Sequence, residues 1–321
     1  MLKSLQTYGT LVCFIGLVVF FWLMLPGTFM TGRNLINISQ QMSMLAVTAF
    51  AMTVVMAMGD FDLSVGSMAS LAGIVAAVVF QATGSVPFGI SAALLVGIAG
   101  GTLNGFLVSY LGILPFVATL GTLTIFSGTA FLISGGKTIF GGDIPASFSG
   151  IAKSGIPIWS SGDQVLNLPN LTIIAALIFF IIWFTMEKLI FGRHVYAMGG
   201  NAEAARLAGV HVRRTRLFAF CITGLGAAVA GLMYAARVAS ANPTQGSGLM
   251  LDAIAAVFLG MTIGRYDEPR VLHTLIGVLI IGVLSNGLTQ LSVDSYVRDI
   301  LVGTIIIAAV AVGSIEKLRR N

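Results

Sequence analysis

Ten apolar runs, most of them near the length that crosses a lipid bilayer, follow one another along the chain with polar breaks between them. They lie at 11–25, 42–58, 68–80, 90–111, 115–133, 171–184, 217–234, 251–263, 272–288 and 297–312. A hydrocarbon core takes about 20 helical residues, so the shorter runs imply helices that are broken or tilted. Charged residues are only 9% of the 321, against roughly a quarter in a soluble domain. That is too few to cover a water-facing surface, and lipid must be the solvent. The 39 glycines suit helices whose backbones approach closely; Gly97, Gly101 and Gly105, spaced by four, share one helix face. The expected fold is an all-α, polytopic membrane protein of about ten transmembrane helices, forming a single domain over 1–321. The first run resembles a signal peptide but lacks a small-residue cleavage pattern before Pro26 and Gly27, so it is expected to remain as the first span.

Basic residues orient the bundle. With the N-terminus in the cytoplasm, Lys3, Lys188, Arg193, Arg206, Arg213, Arg214, Arg216, Arg265, Arg270, Lys317, Arg319 and Arg320 fall inside. Arg33, Lys137, Lys153, Arg237 and Arg298 fall outside. This twelve-to-five split follows the positive-inside rule, and losing or adding one helix ahead of the central loop would spoil it.

The central loop, 188–216, divides a first half (1–187) from a second (217–321). Its sequence from Gly192 to Arg216, GRHVYAMGGNAEAARLAGVHVRRTR, carries five arginines against one acid, Glu203. Its middle reads as a short capped helix. Asn201 is a good N-cap, Glu203 sits where the helix dipole favours an anion, and Ala202, Ala204 and Ala205 propagate the turn. Gly209 is placed to supply the left-handed residue that ends it. A helix this short is marginal alone in water and needs something to pack on.

Two acids lie near membrane depth, Asp62 in FDLSVGSMAS and Asp252 in LDAIAAVFLG. An ionised Asp at a bilayer centre costs about 2.5–3.5 kcal/mol on insertion scales, so such residues mark polar pathways or broken helices. Asp62 with Ser64, and Asp252, are each placed to cap the start of an interrupted helix, and broken helices in membranes line cavities. An internal echo joins the two. Asn104-Gly105 precedes Gly121-Thr122, and Asn286-Gly287 precedes Gly303-Thr304, at the same spacing of 17. The copies are offset by five helices, an odd number, which gives the halves opposite membrane orientation: an inverted repeat, the architecture of many transporters. Asp62, Ser64, Asn104, Asp252 and Asn286 are therefore the candidates for the substrate pathway or its broken helices.

Other chemistry is absent from the pattern. Cys13 and Cys221 lie in apolar runs, and His194, His211 and His273 lack ligand spacing, so no disulfide, metal or catalytic set is expected. Gly136-Lys137-Thr138 ends like a phosphate-binding loop, but Phe131 stands where its first glycine belongs. No cofactor is expected, and nothing interleaves bases with aromatics as a nucleic-acid surface does.

Taken in order, GDFDLSVGS (59–67), PFVATLGTL (115–123), GRHVYAMGGNAEAARLAGV, SANPTQGSG (240–248), LDAIAAVFLG and SNGL (285–288) resemble the permease subunits of ribose/arabinose/xylose-type bacterial ABC sugar importers. The resemblance runs from about Asn34 to Val312. It implies an inner-membrane, multi-pass permease dimer, a cytoplasmic two-cassette ATPase and a periplasmic sugar-binding protein, with a monosaccharide of pentose or hexose class moved inward by alternating access. It also implies that Gly199, Gly200, Asn201, Glu203, Ala204, Ala205, Arg206 and Gly209 form the segment that couples to the ATPase. The chain departs from the pattern at MTIGRYDEPRVLH, Met261 to His273, where Tyr266, Asp267, Glu268 and Pro269 replace expected glycines; this leaves a homodimer and a heterodimer both open. The alternatives are an ion-coupled carrier of a small polar solute, for which two scattered acids make a thin relay, and a membrane scaffold, which has no use for polar breaks.

Overall fold

The structure is a computed structural model that describes residues 2–161, 164–263, 268–304 and 307. The chain runs α1 (Leu2–Met24), α2 (Gly32–Met56), α3 (Val65–Thr83), α4 (Val86–Ser109) and α5 (Pro115–Ser134). It continues through β1 (Ile139–Phe140), α6 (Ala146–Lys153), β2 (Gly155–Ser161), β3 (Gln164–Pro169), α7 (Asn170–Glu187) and α8 (Ile190–Leu207). Then come α9 (Val212–Val238), β4 (Ser240–Ala241), α10 (Leu249–Met261), α11 (Val271–Gln290) and a helix from 295, α12, described to 304. The chain is an all-α polytopic membrane protein. Among the described residues, α2, α3, α4, α5, α7, α9 and α11 are long and apolar enough to cross a bilayer. The first expected span is the apolar stretch Thr10–Met24 of α1, and the eighth is the short α10. The tenth expected span begins in α12 and continues outside the described residues, as do Arg265, Tyr266 and Asp267 of the divergent loop.

Local chemistry sets these ends. Thr31 Oγ1 accepts from the amide of Asn34 and caps α2. Prolines stand in the first turns of α4 and α5, where a missing N–H costs nothing. Gly135 closes α5 at φ +60°, a conformation that disfavours any other residue.

The packing is paired. α3 lies on α4 and α10 on α11; α9 lies against α3 and α4, and α2 against α10 and α11, with α2 and α9 touching in the middle. An offset of five spans maps α2 onto α9, α3 onto α10 and α4 onto α11, and the pairing survives that exchange. The two sequence halves are thus interleaved rather than side by side. The second half of α2, from Ser43 to Met56, is buried on every face, as an all-round apolar helix should be. By contrast α4, α5 and α7 present large side chains outward, among them Leu95, Phe116, Leu120 and Phe180. The glycine face of α4 is turned to α9. A methyl group at Gly101 would stand 2.4 Å from the Phe220 carbonyl oxygen, at Gly97 2.7 Å from that of Gly224, and at Gly105 2.8 Å from Leu217 Cα. The helices touch backbone to backbone.

Elements expected on one side of the membrane meet one another. β1 and β4, from the loops after α5 and α9, pair antiparallel, and both loops are outside in the positive-inside topology. The outer segment 135–169 is more ordered than its polar, turn-rich sequence suggests. β2 and β3 form a hairpin, and α6 buries Phe148, Ser149 and Ala152. The strand signal is masked because the exposed face of the hairpin carries Ile156, Ile158 and Trp159, which leaves no polar alternation to read.

Candidate functional site

The GDFDLSVGS break is where α2 gives way to α3. Asp62 Oδ1 accepts from the Ser64 amide (2.9 Å) and hydroxyl (2.6 Å), and Asn104 Nδ2 from α4 reaches Ser64 Oγ at 2.8 Å and Asp62 Oδ1 at 3.4 Å. Thr122 on α5 donates to Asn104 Oδ1 at 2.7 Å. All four side chains are buried. Among the described residues this buried acid thus finds only neutral donors, each hydrogen bond offsetting part of its desolvation. The expected capping is only half observed: Asp62 holds the amide of Ser64, whereas Ser64, the N-cap of α3, makes no side-chain cap. Its hydroxyl is spent on Asp62. Thr122 was legible only as the second half of the Asn-Gly/Gly-Thr echo.

The second copy differs. Asp252 does not cap α10, whose N-cap is Gly248. It sits in the first turn and pairs with Arg298 of α12 at 3.0 Å, a residue that counted in the sequence only as an outside charge. Arg298 also donates to Ser285 on α11 (3.3 Å). Asn286 does not face Asp252 as Asn104 faces Asp62. Its Oδ1 accepts from Asn34 Nδ2 (3.1 Å) and Gln290 Nε2 (2.8 Å). The repeat therefore places two polar clusters at opposite ends of the bundle, one neutral around its acid and one ion-paired.

The central loop is structured throughout. α8 is two helices merged across Asn201, whose φ of −160° is extended. Asn201 Oδ1 accepts from the amides of Glu203 (3.0 Å) and Ala204 (2.9 Å), so the cap read from sequence is present. Gly209 stands at φ +90° and closes the second piece. The piece ahead of Asn201 was expected to be a loop, but Gly192, Val195 and Met198 are buried and hold it as helix. Beyond it, Arg213, Arg214 and Arg216 belong to α9.

Three contacts tie this region to the core, two from α8 and one from α9. A methyl group at Gly199 would lie 2.1 Å from the Ala57 carbonyl oxygen, so α8 rests on the last turn of α2 beside the break. Arg216 Nε meets Asp60 Oδ2 at 2.8 Å, in contact but without the alignment of a hydrogen bond. Tyr196 donates to Glu187 at 3.2 Å and lies under the Arg270 guanidinium, which itself pairs with Glu187 at 3.3 Å. Sequence reasoning named none of Tyr196, Glu187, Asp60 or Ala57. Tyr196 and Glu187 lie nine residues apart, but their shared partner Arg270 and the partners of Asp60 and Ala57 are distant in the chain, and only the fold brings them together. Glu203 and Arg206 face solvent as a bidentate pair (3.0 Å from Nε). The hydrogen bond from Arg206 holds the Glu203 carboxyl below its ordinary range, while Ala205 is turned inward and buried.

The family model described as the branched-chain amino acid transport system / permease component matches residues 34–310. The chain belongs to this family. The ribose import permease protein RbsC of Escherichia coli (strain K12) is 36% identical over 288 residues, covering 90% of this chain and 88% of its own. The D-allose transport system permease protein AlsC of the same strain is 34% identical over 314 residues (95% and 90%). The L-arabinose transport system permease protein AraH is 35% identical over 308 (94% and 89%). No solved structure matches the chain. The chain is a multi-pass permease of the inner membrane, a transport subunit of the ribose/arabinose type rather than an enzyme.

Proposed function

We propose that this permease is the membrane-spanning subunit of an ATP-driven importer that carries a monosaccharide of the pentose or hexose class into the cytoplasm by alternating access. Relatives named for ribose, allose and arabinose transport support the substrate class. A single observation carries the mechanism: a capped helix on the cytoplasmic side presents Glu203 and Arg206 to solvent while its preceding turn rests on the α2–α3 break through Gly199 and Ala57. A push on that helix reaches the break without a flexible linker between them. A two-cassette ATPase would supply the push, a periplasmic binding protein would deliver the sugar, and a second permease subunit, identical or not, would complete the pathway. The paired helices, exchanged by the five-span offset, are the two-state element such a cycle needs.

The test is on the coupling helix. Arg206→Glu opposes Glu203 with a like charge, and Gly209→Val forces a β-branched residue into φ +90°. Both variants should insert normally, lose co-purification of the ATPase and lose ATP-driven uptake. If both retain the ATPase and transport sugar at the normal rate, the coupling assignment is wrong.

A further inference from the structure

The five-span offset pairs α4 and α9 at the cytoplasmic end with α11 and α2 at the periplasmic end, and the two places are built differently. At the first, Gly97, Gly101, Gly105 and Gly224 seal the helices backbone to backbone. At the second, positions equivalent to Gly97 and Gly101 hold Leu279 and Val283, and Gly282 faces the flexible side chain of Met42 at 3.1 Å. Beyond them, at the outer ends of α2 and α11, lies a cavity of about 460 Å³ lined by Thr31, Arg33, Asn34, Asn37, Gln40 and Gln290 among others. It is an open, polar-lined depression rather than an enclosed pocket.

We propose that this cavity is the outward mouth of the pathway and a binding site for the hydroxyl groups of a neutral sugar. The inference rests on the monosaccharide reading above and adds the residues that would receive the sugar. The lining carries both halves of hydroxyl recognition. Asn37 makes no side-chain hydrogen bond among the described residues, and the side-chain carbonyls of Asn34, Gln40 and Gln290 accept none. The amide groups of the same three side chains are held in place: Asn34 on Phe29 O (2.8 Å) and Asn286, Gln290 on Asn286, and Gln40 on Ala152 O of α6 (2.8 Å). Fixed donors leave the carbonyls directed and free, an arrangement that costs little entropy on binding. Asn286, the repeat partner of Asn104, is the hub that sets two of them. Charge decides among solutes. Among the described residues no carboxylate lines the cavity to receive an ammonium, and Ile36 alone would meet an apolar side chain, which disfavours a branched-chain amino acid. One arginine is thin provision for a phosphorylated sugar, whereas a neutral polyol needs only amides and hydroxyls.

The test uses the permease expressed with its ATPase and binding protein, and measures uptake of labelled D-ribose, D-allose and L-arabinose. Asn37→Leu with Gln290→Leu keeps size and removes hydrogen bonding. It should lower the maximal rate roughly tenfold, the factor lost with one or two hydrogen bonds to a neutral partner, with ATPase co-purification unchanged. Asn37→Asp, which keeps the acceptors, should stay within about threefold of the parent. Asn37→Cys, in a chain with Cys13 and Cys221 replaced, permits modification after folding. An impermeant methanethiosulfonate added from outside should stop uptake, and the sugar-loaded binding protein should slow the reaction. Normal uptake by the double Leu variant, or by the modified Cys variant, overturns the site while leaving the importer reading intact. Modification that occurs only after lipid is stripped assigns the cavity to a lipid headgroup and also overturns it. If the parent imports none of the three sugars, the monosaccharide reading falls and the site falls with it.

Discussion

Gly199 and Gly200 adjoin in the proposed coupling helix yet meet different surroundings, so the pair gives a controlled test of how the helix is joined to the core. An added methyl at Gly199 stands 2.1 Å from the Ala57 carbonyl oxygen and 3.6 Å from Met58 Cα; at Gly200 nothing lies within 4 Å. Ordinary contact begins at 3.4 Å, so Gly199→Ala must push α8 off α2 by roughly 1.3 Å. The obstacle is backbone, with no rotamer to yield, and overpacking of this kind costs about 1–3 kcal/mol. Both substitutions gain up to about 1 kcal/mol of helix propensity, so that term cancels between them. The difference left is roughly 5- to 150-fold in the equilibrium between the seated and unseated helix. Gly199→Ala should therefore raise the protease sensitivity of the 188–211 segment and uncouple ATP hydrolysis from uptake, while Gly200→Ala behaves as the parent. The assays are limited proteolysis in nanodiscs and the ratio of ATP hydrolysed to sugar imported. Equal values for the two variants would refute the claim that this contact transmits force.

Two further outcomes follow from the same geometry. A cysteine at Ala202 should react with an impermeant maleimide only from the cytoplasm and one at Ser154 only from the periplasm; labelling of Ala202 from outside would invert the topology and remove the coupling claim. Asp62→Asn keeps an acceptor for the Ser64 amide and hydroxyl and should preserve uptake. Asp62→Leu leaves the Ser64 amide and hydroxyl without that acceptor, at a cost of about 1–3 kcal/mol for each buried group left unpaired, and should reduce folded permease in the membrane; a silent Leu variant would mean the cluster is not needed.

The span pattern was legible because hydrophobic length is a local property. α5 begins at Pro115 as read and ends one residue late, at Ser134, since proline and glycine mark both ends. α2 begins ten residues before its apolar run: Asn34, Asn37 and Gln40 look like loop in a list of hydropathies, but the Thr31 cap and the polar cavity beside them allow a helix to carry them. The capped helix was legible at Asn201 and Gly209, where the chemistry of a cap is written in one residue. Its support was not, because Gly199 on Ala57 and Arg270 on Tyr196 each join residues more than 70 apart in the chain. The two acids looked alike in sequence and proved unlike: Asp62 is solvated by its neighbours, whereas Asp252 answers a single arginine supplied by another helix.

The exposed tip of the coupling helix carries one acid and one base, and they satisfy each other within a single turn. Seen from a partner, the tip is a dipole with no net charge. Such a surface exerts little pull beyond a Debye length, about 8 Å in physiological salt, and its attraction fades faster with distance than that of a bare cation. Recognition there must be won by shape at short range. If this helix is the docking point proposed above, assembly of the permease with an ATPase should accordingly depend only weakly on ionic strength, even though the surrounding segment is the most basic in the chain.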